Sequence, residues 1–105
     1  LYVAGFLLAL IAVFYMVSPK AFGQDTVYFF YHPSCGHCTA FKPAWEEIKR
    51  QVSVATQDIN CADNPTMCSD YGIEGYPTIL KETNQGRQEF QGKRSVPNVV
   101  RFIQG

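Results

Sequence analysis

The sequence predicts an α/β domain with a central mixed β-sheet flanked by helices, preceded by a hydrophobic segment. Three observations carry that expectation. Apolar runs of strand length alternate with stretches of helical period, in the order β-α-β-α-β-β-α. The first run, Thr26 to Tyr31, is β-branched and aromatic with no period-2 alternation, as a strand buried on both faces should be. A dithiol, Cys35-Gly36-His37-Cys38, stands where that strand hands over to a helix. The expected division is 1–18 as a transmembrane or signal-anchor helix, 19–25 as a linker and 26–105 as the folded domain.

Of the 105 residues, roughly 80 to 85 remain once the leader and linker are set aside, near the lower end of what folds alone. A covalent cross-link would help so small a core. Nine Lys and Arg balance nine Asp and Glu, and all of these charges lie after Val17. A neutral chain without a basic run gives no electrostatic reason to expect nucleic acid as a partner.

Leu1 to Val17 carries no charge and no strong polar group. A helix of that length spans about 25 Å, slightly less than a roughly 30 Å hydrocarbon core, so an anchor would be extended upstream or stand nearly upright. Two other readings compete. Ala21-Phe22-Gly23 resembles a small-x-small signal cleavage site, and a buried core helix is the third option, disfavoured because so small a domain cannot surround a helix apolar on every side. The anchor is the reading carried forward, with membrane contact through residues 1–18.

His32-Pro33-Ser34 breaks the first strand, and from about Cys35 to Gln51 the period turns helical. Phe41, Ala44, Trp45, Ile48 and Val52 form one apolar stripe, while Glu46, Glu47, Lys49 and Arg50 face outward. Pro43 removes a hydrogen bond one turn beyond Cys38, which predicts a kink. A second strand, roughly Ser53 to Ile59, follows at a spacing that suits a right-handed βαβ unit. Asn64-Pro65 reads as an N-cap with proline at the first helical position, and Gly72 as the glycine that ends a short helix. Tyr76 to Lys81 reads as a strand with Pro77 at its start, Asn84 to Gly86 as a turn, and Arg87 to Gln91 as the last strand. Ser95 caps a final helix with Val96, Val99, Val100 and Ile103 at helical spacing.

Four cysteines in so short a chain, beyond a hydrophobic leader, point to an oxidising space such as the endoplasmic reticulum lumen or another secretory or extracytoplasmic compartment. Lys20, on the C-terminal flank of the leader, points weakly to the opposite membrane face. The spacings give two pairs, 35/38 and 61/68. Both histidines, His32 and His37, fall within the first cluster, so zinc-finger spacing is absent; no metal and no cofactor is expected. Thiolate is the nucleophile in disulfide exchange, and a cysteine that opens a helix has the positive dipole end and unpaired N–H groups to favour it. Cys35 is therefore expected to attack substrate and Cys38, one turn deeper, to resolve the mixed disulfide. His37 beside a forming thiolate stabilises the reduced pair, which favours an oxidant.

Tyr31-His32-Pro33-Ser34-Cys35-Gly36-His37-Cys38, with Pro43, Tyr71 to Ile79 (YGIEGYPTI) and Phe90-x-Gly92-x-Arg94, resembles the thioredoxin-like domains of the protein disulfide isomerase family, over about Val27 to Ile103. The resemblance implies a thioredoxin fold and a thiol–disulfide oxidoreductase acting on cysteine-containing protein substrates. It further implies Pro77 in cis facing the cysteines, the Tyr76 backbone free to pair with an extended substrate, and Arg94 lowering the Cys38 pKa. Some relatives show a C-x6-C before the proline strand. Cys61 and Cys68 match it, and a structural disulfide is preferred over a second redox pair or free thiols. Three departures accompany the resemblance. The family's first strand and helix have only about ten residues available before Thr26, so a truncated fold is expected. Phe29 replaces a buried carboxylate six residues before the first cysteine, so the proton of Cys38 would have to move by water or another group and turnover would be slow. Ser34 replaces a tryptophan, removing apolar contact surface. These departures keep a second reading open, in which the chain is a structural or adaptor subunit that docks neighbouring subunits of a membrane-associated assembly.

Overall fold

The computed structural model describes residues 25–105. Its elements are strand β1 (Thr26–Tyr31), helix α1 (Gly36–Gln51), strand β2 (Ala55–Asn60), helix α2 (Pro65–Asp70), strands β3 (Thr78–Thr83) and β4 (Gly86–Glu89), and helix α3 (Val96–Gln104). The expected leader helix lies outside the described residues, as does the stretch where a further strand and helix would precede β1. No helix among the described residues is long and apolar enough to cross a membrane.

The sheet has the order β2-β1-β3-β4. β1 pairs parallel with β2 and antiparallel with β3, and β4 closes an antiparallel hairpin on β3. The missing alternation in β1 now has its physical cause: helices cover both faces of this central strand. Val27 and Phe29 point to one side, into a cluster with Phe41, Trp45, Ile48, Ile79, Val99 and Ile103 from α1, β3 and α3. Tyr28 and Phe30 point to the other, against Ile59, Leu80, Cys61 and Cys68.

Trp45 is fully buried, and its indole N–H donates to Asp58 Oδ1 at 2.7 Å while Lys49 Nζ meets Asp58 Oδ2 at 3.1 Å. These bonds tie α1 to β2 across the sheet. α3 is capped by Ser95, whose Oγ accepts the Asn98 N–H, and it buries Val99 and Ile103 on the α1 side.

Several boundaries differ from the sequence reading, each for a local reason. α1 keeps its expected end at Gln51 with Pro43 inside it, because proline forfeits one hydrogen bond while Phe41, Trp45 and Ile48 bury the same stripe on both sides of it. β2 starts at Ala55 rather than Ser53, where pairing with Thr26 begins. β3 starts at Thr78 rather than Tyr76, since Pro77 has no N–H to give the ladder, and it extends to Thr83 through pairing with β4. β4 ends at Glu89, after which only the Phe90 N–H bonds back to Ile79. Asn64 occupies the cap position of α2, but its amide donates to Asn60 O at 3.0 Å instead of capping the helix. At the other end Gly72, at φ +68°, closes α2 with paired bonds from Gly72 N–H to Ser69 O and Ile73 N–H to Cys68 O.

Candidate active site

β1 runs straight into the dithiol. Cys35 is the N-cap of α1, with extended backbone, and its Sγ accepts the Cys38 N–H at 3.1 Å. The first helical turn therefore presents a backbone donor to this sulfur, which is the electrostatic setting a thiolate needs. Both thiols are free, Cys35 partly exposed and Cys38 only 3% exposed. Burial pushes the Cys38 thiol up to about 11, with a side-chain hydrogen bond to Cys35 acting in the same direction. A backbone hydrogen bond at His32 and the positive charge of Arg94 pull it partly back.

The loop before Cys35 is held by His32. Its carbonyl accepts the Cys35 N–H at 3.0 Å and its Nδ1 accepts the Ser34 N–H at 3.1 Å, which leaves Nε2 to carry the proton in the neutral ring. Continuing the β1/β3 register past Phe30 and Thr78 places Pro77 opposite Tyr31 and Tyr76 opposite His32. The His32 and Tyr76 rings are indeed 5.6 Å apart. The Tyr76–Pro77 peptide is cis, Thr78 Oγ1 donates to Gly75 O at 2.7 Å within the same turn, and Tyr76 is 38% exposed. An exposed tyrosine thus stands beside the loop that leads into Cys35.

Two depressions flank the pair. One, of about 430 Å³, runs along α1 between His37, Ala40, Phe41 and Ala44 on the helix and Lys93 and Arg94 on the loop before α3. This brings His37 and Arg94, distant in sequence, to one surface. The other, of about 320 Å³, reaches Cys38 between Phe29, Tyr31, His32, Pro33, Thr39, Lys42 and Asn60. Phe29 is buried with its ring 5.2 Å from Trp45 and 5.8 Å from Phe41, so position 29 belongs to the core as well as to the floor of this cleft. Lys42 was not singled out by motif, although its place four residues after Cys38 is the signal that puts it on the same helix face.

Cys61 and Cys68 lie apart from this site. The structure joins them in a disulfide with Cα atoms 5.8 Å apart, buried against Phe30 and Leu80 on the opposite side of the sheet. The Cys61 N–H donates to Tyr31 O, so the bridge ties α2 to the end of the central strand. Among the described residues no group of three or more His, Cys, Asp or Glu side chains is placed to hold a metal ion.

A free Cys-x-x-Cys at the start of the helix after a central strand, with a Tyr-Pro turn in register beside it, in a sheet ordered β2-β1-β3-β4, defines a thioredoxin-fold dithiol domain. The chain belongs to the thioredoxin family, whose model, described as Thioredoxin, matches residues 20–105. It is 35% identical over 82 residues to a Thioredoxin domain-containing protein 5 homolog of Drosophila melanogaster, an alignment covering 70% of this chain and 20% of that protein. It is 33% identical over 92 residues to Protein disulfide isomerase-like 2-2 of Oryza sativa subsp. japonica, covering 80% of this chain and 25% of the relative. The chain therefore spans only about a fifth to a quarter of these curated relatives. Among solved structures, the first thioredoxin domain of mouse Protein disulfide-isomerase A4 superposes with a TM-score of 0.71 at 26% identity, over 77% of this chain and 61% of that one.

Proposed function

We propose that this domain is a thiol–disulfide oxidoreductase of the protein disulfide isomerase type, acting on cysteine-containing protein substrates in an oxidising compartment. The observation that supports it most is the asymmetry of the pair: Cys35 is reachable and hydrogen-bonded by the Cys38 N–H, whereas Cys38 is buried and holds its proton. In the oxidising direction a substrate thiolate attacks Cys35 Sγ of the Cys35–Cys38 disulfide, and the bond's electron pair leaves with Cys38. A second substrate thiolate then attacks the substrate sulfur of the mixed disulfide and releases Cys35 as thiolate. The substrate gains one disulfide and the dithiol takes up its two electrons.

In this reading His37 and Arg94 favour the reduced, negatively charged pair from the same surface. Tyr76 and Pro77 line the path of the bound polypeptide beside His32. The Cys61–Cys68 bridge is structural, and its persistence fits a secretory or extracytoplasmic setting.

Trapping tests the proposal. In Cys38→Ala, mixed disulfides should accumulate through Cys35 in intact cells and disappear when Cys35 is also replaced. Their absence would favour a docking role for the fold.

A further inference from the structure

Resting on the exchange role of Cys35 and Cys38, we infer that Lys42 supplies the proton to Cys38 when that sulfur leaves, taking the place of an acidic side chain at position 29. Four observations converge. Cys38 is nearly inaccessible, so its departing thiolate cannot take a proton from bulk solvent directly. Position 29, on the strand beside it, is an aromatic ring without a transferable proton. A cleft does reach Cys38, and two of its lining side chains can carry a proton, His32 and Lys42; the His32 ring is engaged through Nδ1 by the Ser34 N–H in the loop, whereas Lys42 is the one ammonium and stands on the same helix as Cys38. Lys42 is also held there: its Nζ lies 5.4 Å from the centroid of the Tyr31 ring, another wall of the cleft.

Helix geometry supports the pairing. Cys38 and Lys42 are both in α1, one turn apart. Residues at i and i+4 stack on one face, and side chains lean toward the helix N-terminus, so the lysine stem points back over the cysteine. The cleft volume, about 320 Å³, is ample for water to bridge the two groups. The exposed lysine then reloads from solvent.

The chemistry balances. An attacking thiolate forms a new S–S bond to Cys35 as the Cys35–Cys38 bond breaks, and the electron pair stays on Cys38. The Lys42 ammonium passes one proton through cleft water to that sulfur and becomes a neutral amine, which regains a proton from the medium. In the closing direction the same route carries the proton away as Cys38 attacks. A good proton donor at a leaving group is worth roughly 100-fold or more.

The test uses the oxidised protein, rapidly mixed with glutathione, acid-quenched, and read by mass spectrometry for the adduct on Cys35. Lys42→Met removes both charge and proton; Lys42→Arg keeps the charge with a group that stays protonated. Both replacements are helix formers at an exposed site, so folding should be preserved. Opening in both variants should slow at least about tenfold at pH 7. Equal rates in parent and Lys42→Met would overturn the inference, and so would full recovery in Lys42→Arg, which would assign the effect to charge alone. An adduct on Cys38 instead of Cys35 would overturn the nucleophile assignment beneath it, a separate result.

Discussion

Replacing both cysteines of the buried bridge, as Cys61→Ala/Cys68→Ala, separates a structural staple from a redox relay. The cross-link closes a loop of sequence separation 7. For so short a loop the constraint on the unfolded chain is worth about 2 to 3 kcal/mol. Both sulfurs are also packed in the cluster under Phe30 and Leu80, at 5% and 4% exposure, and deleting each costs on the order of 1 kcal/mol more. The sum, about 4 to 5 kcal/mol, is a large share of the roughly 5 to 15 kcal/mol that a domain has in total. At about 4 to 8 °C per kcal/mol for this size, the midpoint should drop by roughly 15 to 40 °C in thermal denaturation followed by circular dichroism. At 10 °C, where the variant should still be folded, the rate at which Cys35 and Cys38 exchange with a peptide disulfide should match the parent within about twofold. A folded variant with unchanged stability, or one that has lost exchange at 10 °C, would refute the reasoning.

Three further outcomes follow from the geometry. In a Cys35→Ala background burial should still hold the Cys38 thiol above an ordinary cysteine, though below the parent's value because the Cys35 hydrogen bond and charge that raise it are gone, and Arg94→Gln should push that midpoint higher, because Arg94 is one of the groups that holds it down; iodoacetamide rates against pH read both. The same shift makes stability fall as pH climbs from about 9 to about 11, since an unfolded thiol there sheds its proton while the folded one keeps it. Asp58→Ala should cost about 1 to 3 kcal/mol in urea unfolding, because it leaves the buried Trp45 N–H without its 2.7 Å acceptor.

Much of this fold can be read from residue pattern. The absence of alternation in Thr26 to Tyr31 encodes its central place, and Phe41, Trp45 and Ile48 lie on the face that the stripe names. The Ser95 cap and the Gly72 terminus are where their local chemistry puts them. Strand ends were less legible, because β3 and β4 stop where partners stop offering hydrogen bonds, and composition does not encode partners. Within the site, the dithiol and the Tyr76-Pro77 turn are visible as motifs. The cleft at Cys38 is not, because Tyr31 and Lys42 meet only once a strand and a helix are packed together. The pairing of His32 with Tyr76 likewise depends on strand register.

Phe29 joins two demands usually kept apart. Its ring is shared between the aromatic interior around Trp45 and the wall of the cleft that reaches Cys38, so any change made there for the cleft also unsettles the packing. Placing an acid at that position would replace a ring packed against Phe41 and Trp45 with a smaller polar group that burial drives toward its protonated form, at a cost of several kcal/mol in lost packing. Under the proposed exchange role, retuning that leaves the interior untouched is open on the solvent side of α1, where Thr39 is exposed.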